Sequence, residues 1–296
     1  MSAKLFGKPR ALVSLATLAL ALGPLPGCRP KRGVLTRPAA AVDAALQSQA
    51  FAERLRKLGR SHLRGVTRLE AGIDRRPADA VTTETDIWVD DGGNWRLVDL
   101  NDKDGGREIV LHGRELAIAL RYGRMIRRTA EDPEPVRLLA QGVGGPFAAW
   151  DLLRDVTTVD DFGTDVRDGR KVHVYKLTKS SSPPPPATTL DASDRQAWRR
   201  TIDAQRIEGS VLIDEQTGVP LLAELHGRYT MRRGEGQGTP MHGAVDARTS
   251  IEEIGTSPAI AEPEAEDLAP RQRTVPDERA LLGGLPRAPA RPRGVP

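Results

Sequence analysis

The sequence predicts an α+β fold dominated by antiparallel strands. Apolar and polar residues alternate with period 2 in successive short runs from residue 61 onward. The clearest run sets Leu116, Ile118, Leu120 and Tyr122 on one side and Glu115 and Arg121 on the other. Turn signals separate the runs: Asp91-Gly92-Gly93-Asn94, Asp102 to Gly106, and His112-Gly113-Arg114. Strands joined by turns this short must be antiparallel, because parallel neighbours need a crossover of a dozen or more residues. Helical periodicity is confined to one segment before the strands and two short ones in the middle.

The chain opens with Lys4, Lys8 and Arg10, then an apolar run from Ala11 to Leu22, then Gly23-Pro24. A run of about a dozen apolar residues is too short to span a bilayer, which needs roughly 20. It fits the h-region of a cleaved signal peptide over residues 1–27. Cys28, the single cysteine, closes the string Leu25-Pro26-Gly27-Cys28. Such a string reads as a lipoprotein signal: cleavage after the small Gly27 leaves an N-terminal cysteine that takes up acyl chains. An ordinary secretory signal or a buried core cysteine are the competing readings. Several acyl chains on one residue anchor firmly, at about 0.8 kcal/mol per buried methylene. Residues 28–40 are expected to form a polar tether, and residues 41–255 the folded domain.

Within that domain a helix is expected from Asp43 to Leu58, with Asp43 as N-cap, Leu46, Phe51, Leu55 and Leu58 on one face, and Gly59 at its end. Val81, Ile87 and Val89 alternate with Thr82, Glu84 and Asp86 in a strand, and Trp95–Leu100 follows across a turn. Val136, Leu138 and Leu139 lie in a first central helix, and Pro146 starts a second that ends near Arg154. Gly142-Val143-Gly144-Gly145 reads as the hinge between them. Strands resume at Phe162–Val166 and Lys171–Leu177, then at Gly209–Asp214 and Pro220–Arg232. In the last of these Leu221, Ala223, Leu225, Tyr229 and Met231 share one face. A final strand is expected from Ala244 to Ile254. The proline-rich stretch 180–190 is an extended loop. Residues 257–296 hold eight prolines in 40 residues and few large apolar side chains, so 256–296 is expected to be a disordered tail.

Composition narrows the partners. The net charge of +4 owes three positive charges to Lys4, Lys8 and Arg10 of the leader. Without residues 1–27 the chain carries 41 basic against 40 acidic residues, so no nucleic-acid partner is expected. One cysteine permits no internal disulfide, and stability must come from a packed core.

Two stretches carry a family likeness. Pro146-Phe147-Ala148-Ala149-Trp150-Asp151-Leu152-Leu153 resembles a central P-x-x-L-L helix, and Gly209-Ser210-Val211-Leu212-Ile213-Asp214-Glu215-Gln216-Thr217-Gly218-Val219-Pro220-Leu221 resembles an x-V-x-I-D-x-x-T-G-x-P hairpin. In this order, over about residues 41–255, they resemble the LolA/LolB-like superfamily of lipoprotein carriers and receptors. The likeness implies an incomplete antiparallel β-barrel, a half-barrel, with an N-terminal helix and central lid helices over an apolar cavity. It implies non-catalytic binding or hand-over of a lipid or lipidated protein. The partners would then be the membrane, through the anchor, and the acyl chains of a lipid or lipoprotein. The expected location is the cell envelope, with the body in the periplasm and the outer membrane preferred because Arg29, not Asp, follows Cys28.

The candidate cavity wall is Leu116, Ile118, Leu120, Leu221, Leu225, Tyr229 and Met231. The same stripe also suits an ordinary packed core, in which case the chain is a structural lipoprotein docking to an envelope assembly. Catalytic chemistry has no evident carrier. His62, His112, His173, His226 and His242 are scattered without metal-ligand spacing, and there is no Gly-x-Ser-x-Gly elbow. The acids at 102–108, Asp160-Asp161 and Asp165/Asp168 read as turn residues. No cofactor, metal site or enzymatic activity is expected.

Overall fold

The structure is a computed structural model that describes residues 37–73, 78–181, 201–232 and 239–270. Cys28, residues 1–36, most of the 180–190 loop and residues 271–296 lie outside the described residues. No described helix is long and apolar enough to cross a membrane.

Two helices come first, α1 (Arg37–Ala45) and α2 (Ser48–Leu58). Strands β1 (Ser61–Ile73), β2 (Asp79–Val89), β3 (Trp95–Asn101), β4 (Gly106–His112), β5 (Glu115–Leu120) and β6 (Ile126–Thr129) follow as a meander. Helices α3 (Glu134–Gly142) and α4 (Gly145–Leu153) interrupt it. Then come β7 (Thr157–Arg167), β8 (Arg170–Lys179), β9 (Asp203–Asp214), β10 (Pro220–Arg232) and β11 (Pro240–Glu252). All belong to one antiparallel sheet of eleven strands, in the order β6-β5-β4-β3-β2-β1-β11-β10-β9-β8-β7. The edge strands β6 and β7 do not pair with each other, so the sheet stays open, as a half-barrel requires.

The alternation read from the sequence sets the inner face. Leu63, Ile87, Val89, Trp95, Leu97, Ile109, Leu111 and Leu116 point inward and are buried. They form one core with Phe51 and Leu55 of α2, Leu138 and Leu139 of α3, and Phe147, Trp150 and Leu153 of α4. The rings of Phe51 and Phe147 meet at 4.6 Å, tying the N-terminal helix to the lid. Two glycines let the lid close onto the sheet. A Cβ on Gly142 would sit 1.8 Å from Leu97 Cδ1, and one on Gly227 would sit 2.5 Å from Leu153 Cδ1.

Several boundaries differ from the sequence reading. The N-terminal helix is two helices, because Gln47 is extended (φ −76, ψ 111). The apolar residues run on through the break, and this hid it. Asp43 lies inside α1 rather than at a cap, and its carboxylate accepts hydrogen bonds from Trp150 Nε1 (3.1 Å) and Arg154 (3.0 Å). Residues 37–40 are helical, with Ala39 buried, so the tether ends earlier than residue 40. Gly145, not Pro146, is the first residue of α4, and β11 starts at Pro240. Tyr122 lies beyond β5 in a turn with φ 68, and is 84% exposed.

The largest correction is at the C-terminal end. Residues 257–269 are an ordered strap over the outer face of β3–β6, not a disordered tail. Ile260 is buried in a second apolar cluster with Val110, Ala117, Ala119 and Met125, against which Trp88 and Leu268 pack. Met125 N–H donates to Asp267 O (2.9 Å), and Ala269 N–H donates to Met125 O (2.8 Å). Glu262 pairs with Arg127 (2.9 Å). Ile260 and Leu268 are isolated in an acidic, proline-rich run, too sparse to register as a core-forming pattern. Their partners are the outward-facing apolar residues of β4 and β5.

Two outcomes are expected in thermal or denaturant unfolding. Gly142→Val should destabilise by about 1–3 kcal/mol, because the added methyls overpack against Leu97. Ile260→Ala should cost about 2–4 kcal/mol, whereas a disordered tail would give no change.

Candidate functional site

The inner face has a filled end and an open end. At the filled end the helices cover it, and three of the seven residues expected to line a cavity sit there: Leu116, Leu221 and Leu225 are buried in the core, as is Tyr229 nearer the open end. Ile118 and Met231 are half-buried against it, and Leu120 is 43% exposed. The inward alternation of these residues follows the sequence reading, but side chains of the chain itself occupy the space in front of the buried four.

The open end lies where β1, β2, β10 and β11 run past the helices. Strand β1 keeps its register without a bulge, so Leu69 and Ile73 point to the same face as buried Leu63. Leu69 is 49% exposed and Ile73 46%. Val81 is paired across from Leu69, and Met241 is paired with both Ile73 and Met231. These five side chains form an apolar patch at that end. Tyr229 closes its floor by lying over Gly243, where a Cβ would meet the ring at 2.5 Å. Burial pushes the Tyr229 phenol up from its usual range. Leu69, Ile73, Val81 and Met241 were missed from sequence as a site. Arg68, Glu70, Thr67 and Gly72 break the apolar pattern of β1, and only the pairing of β1 with both β2 and β11 brings the four together.

Between the two ends a polar group interrupts the inner face. Arg107 on β4 and Asp99 on β3 are directly paired and face inward, with their charged atoms 3.6 Å apart. Thr85 Oγ1 donates to Asp99 at 3.4 Å. Burial pushes the Asp99 carboxyl up, against the opposing pull of Arg107 and Thr85. Thr249 contributes a buried hydroxyl with no hydrogen-bond partner among the described residues. Gly145, with φ 52, opens α4 directly above it; a Cβ there would lie 2.9 Å from Thr67 Oγ1 and 3.3 Å from Thr249 Oγ1. Two members of the glycine run read as a hinge, Gly142 and Gly145, are thus close-contact points on the sheet.

The lid is locked at one edge by an ion pair. Arg128 on β6 makes a two-pronged contact with Glu134 at the start of α3, one prong at 2.7 Å. The Glu134 side chain is 11% exposed. The Arg128 hydrogen bonds hold its carboxyl below the usual carboxylate range, outweighing the opposing effect of burial. A carboxylate so lowered adds stability above its unfolded pKa, and that stability is lost as pH falls through the folded value.

The histidines are placed separately. His62 contacts Asp86 (2.8 Å) and stacks on Trp88, His173 contacts Asp161 (2.7 Å), and His226 contacts Asp246 (3.0 Å). Among the described residues no three His, Cys, Asp or Glu side chains converge as a metal site would need. Asp168 sits in the β7–β8 turn with φ 50, as a turn acid does.

Glu134→Gln should lower stability at neutral pH by removing the charged partner of Arg128. Its deficit against the native chain should shrink as pH is lowered through the acid range, in denaturant titrations at several pH values. A deficit independent of pH would exclude the Arg128–Glu134 charge as its source.

No family model matches the sequence, and no curated protein matches it. Among solved structures the chain is similar to the Mycobacterium tuberculosis lipoprotein LppX, at 15% identity over 74% of this chain and 100% of that one, with a TM-score of 0.28. It is similar to LprF from Mycobacterium bovis at 14% identity, over 73% of this chain and 96% of that one, with a TM-score of 0.27. A LolA superfamily protein from Nitrosomonas europaea matches at 12% identity, over 73% and 95% of the two chains, with a TM-score of 0.22.

Proposed function

We propose that this chain is a lipid-anchored envelope protein that binds an amphiphile, a lipid or lipidated polypeptide, without catalysis. The guest's acyl chain lies on the open end of the inner face. The observation that carries this reading is the patch of Leu69, Ile73, Val81, Met231 and Met241, apolar and left uncovered by the helices. Burying a methylene gains about 0.8 kcal/mol. Association costs at least about 4 kcal/mol. At least about five methylenes must therefore leave water for binding to register, and a membrane acyl chain has more than that.

Acylated Cys28 supplies the anchor in this reading. Residues 29–36 separate it from α1, a reach of about 30 Å when fully extended. A body held that close to a membrane serves as a fixed receptor better than as a diffusing carrier. The body lies in the periplasm, with the outer membrane as the preferred site of the anchor. A second reading is favoured by the burial of Leu116, Leu221 and Leu225: a filled-core lipoprotein that docks to an envelope assembly.

Cys28→Ala should move the protein from the membrane fraction to the soluble fraction on cell fractionation, with its thermal unfolding unchanged. Unchanged fractionation would remove the anchor from the proposal. Gentle purification followed by mass spectrometry should find a co-purifying lipid or acylated polypeptide. The double substitution Leu69→Glu and Met241→Glu should reduce it tenfold or more. A chain that purifies without any amphiphile, and binds none when offered, would favour the docking reading.

A further inference from the structure

We propose that Arg107 and Asp99 form a headgroup subsite on the inner face, and that the amphiphile it selects is zwitterionic: a phosphate diester bearing a primary ammonium, as in ethanolamine phospholipids. The inference rests on the reading of the open inner face as an amphiphile site.

The two side chains are partly desolvated, at 23% and 25% exposed, yet their hydrogen-bonding capacity is not used up. Among the described residues the Arg107 guanidinium has a single charged neighbour, Asp99 at 3.6 Å, and no hydrogen bond. Arg170 makes the contrast. Its side chain is 24% exposed, close to that of Arg107, but it grips Asp214 with two bonds of 3.0 and 2.8 Å. Asp214 in turn accepts from Thr217 N–H and Oγ1, so that pair is closed. Among the described residues Arg107 keeps its five donors, and Asp99 accepts only the long 3.4 Å bond from Thr85. Partial burial makes unused charged groups costly, and a ligand that completes them recovers that cost.

Position adds chemistry to the pair. Arg107 lies across from Leu120, an exposed apolar side chain on β5. On the other side Asp99 is paired with Thr85 of β2. Four residues before Thr85 on the same strand is Val81, which with Leu69 opens the apolar patch. A headgroup at the pair thus lets an acyl chain run along β2 and β1 toward Ile73 and Met241. A purely anionic headgroup would meet Asp99, and a purely cationic one would meet Arg107. A group carrying an oxyanion and an ammonium a few ångströms apart gives an acceptor to Arg107 and a donor to Asp99. A quaternary ammonium lacks the N–H and cannot donate.

The test is a ligand series on the full chain carrying Cys28→Ala. Dodecanoyl lysolipids below their micelle concentration are titrated by fluorescence displacement, with dodecyl maltoside as an uncharged amphiphile. Ethanolamine lysolipid should bind tenfold or more tighter than the choline and glycerol lysolipids. Asp99→Asn should bring the ethanolamine-to-glycerol ratio to about one. Arg107→Met should weaken all three phosphates about tenfold and leave dodecyl maltoside unchanged. Equal affinity for the three lysolipids on the unsubstituted pair overturns the subsite, and this comparison needs no variant to fold. Binding of dodecyl maltoside with no headgroup preference leaves the amphiphile reading standing without the subsite. Failure of every amphiphile to bind removes both.

Discussion

Everything above the inner face depends on one topological constraint. The sheet runs from β6 at one edge to β7 at the other, and these two strands are neighbours in the chain. The segment between them has to cross from edge to edge, and it does so as α3 and α4 across the inner face. An open sheet with an apolar inner face would otherwise present that face to water. The crossing covers part of it at no cost in additional chain. How closely the crossing sits is then a matter of side-chain volume, and Gly142 and Gly227 set it by having none. The Arg128–Glu134 contact fixes the point of departure, and Asp43, bonded to Trp150 and Arg154, fixes the arrival against α1.

The same crossing explains why the inner face is divided. Two helices of nine residues each are about 13 Å long, at 1.5 Å per residue. Strands β1, β10 and β11 have thirteen residues each, roughly 40 Å. Helices of that length cannot cover strands of that length, and the uncovered remainder is where Leu69, Ile73 and Met241 lie. The outer face follows ordinary solvated chemistry over most of its area, with cross-strand pairs such as Arg96–Glu108 and Arg248–Glu224. Exposed pairs of this kind contribute little stability. The exception is the area around Val110 and Ala117, where the strap takes the place of water.

Much of the fold was legible in the sequence because period-2 alternation and turn glycines are local signals. The turns at 91–94 and 102–106, the Leu221–Met231 stripe and the central helices all sit where that pattern puts them. Signals that need a partner were not legible. Ile260 means nothing without Val110 and Met125, which are well over a hundred residues earlier in the chain. Leu69 reads as a stray apolar residue until β11 is laid beside β1. The split between α1 and α2 was hidden for the opposite reason: Leu46 is buried, so the apolar stripe is continuous while the backbone is not. Of the seven residues nominated for a cavity, sequence could give the face but not the occupancy. That depends on where the helices end.

The pairing of β1 with β11 has a consequence for how the chain reaches its fold. His62 and Glu252 are partners at the centre of the sheet, about 190 residues apart in sequence. Closing a loop of that length costs roughly 4–5 kcal/mol in chain entropy before any contact repays it. Neither half of the sheet has its central neighbour until nearly the whole domain has been made. Folding dominated by such distant pairings is slow. In the proposed reading, with residues 1–27 as an export leader, this delay is useful, since a polypeptide that cannot finish its sheet early stays threadable until it has crossed.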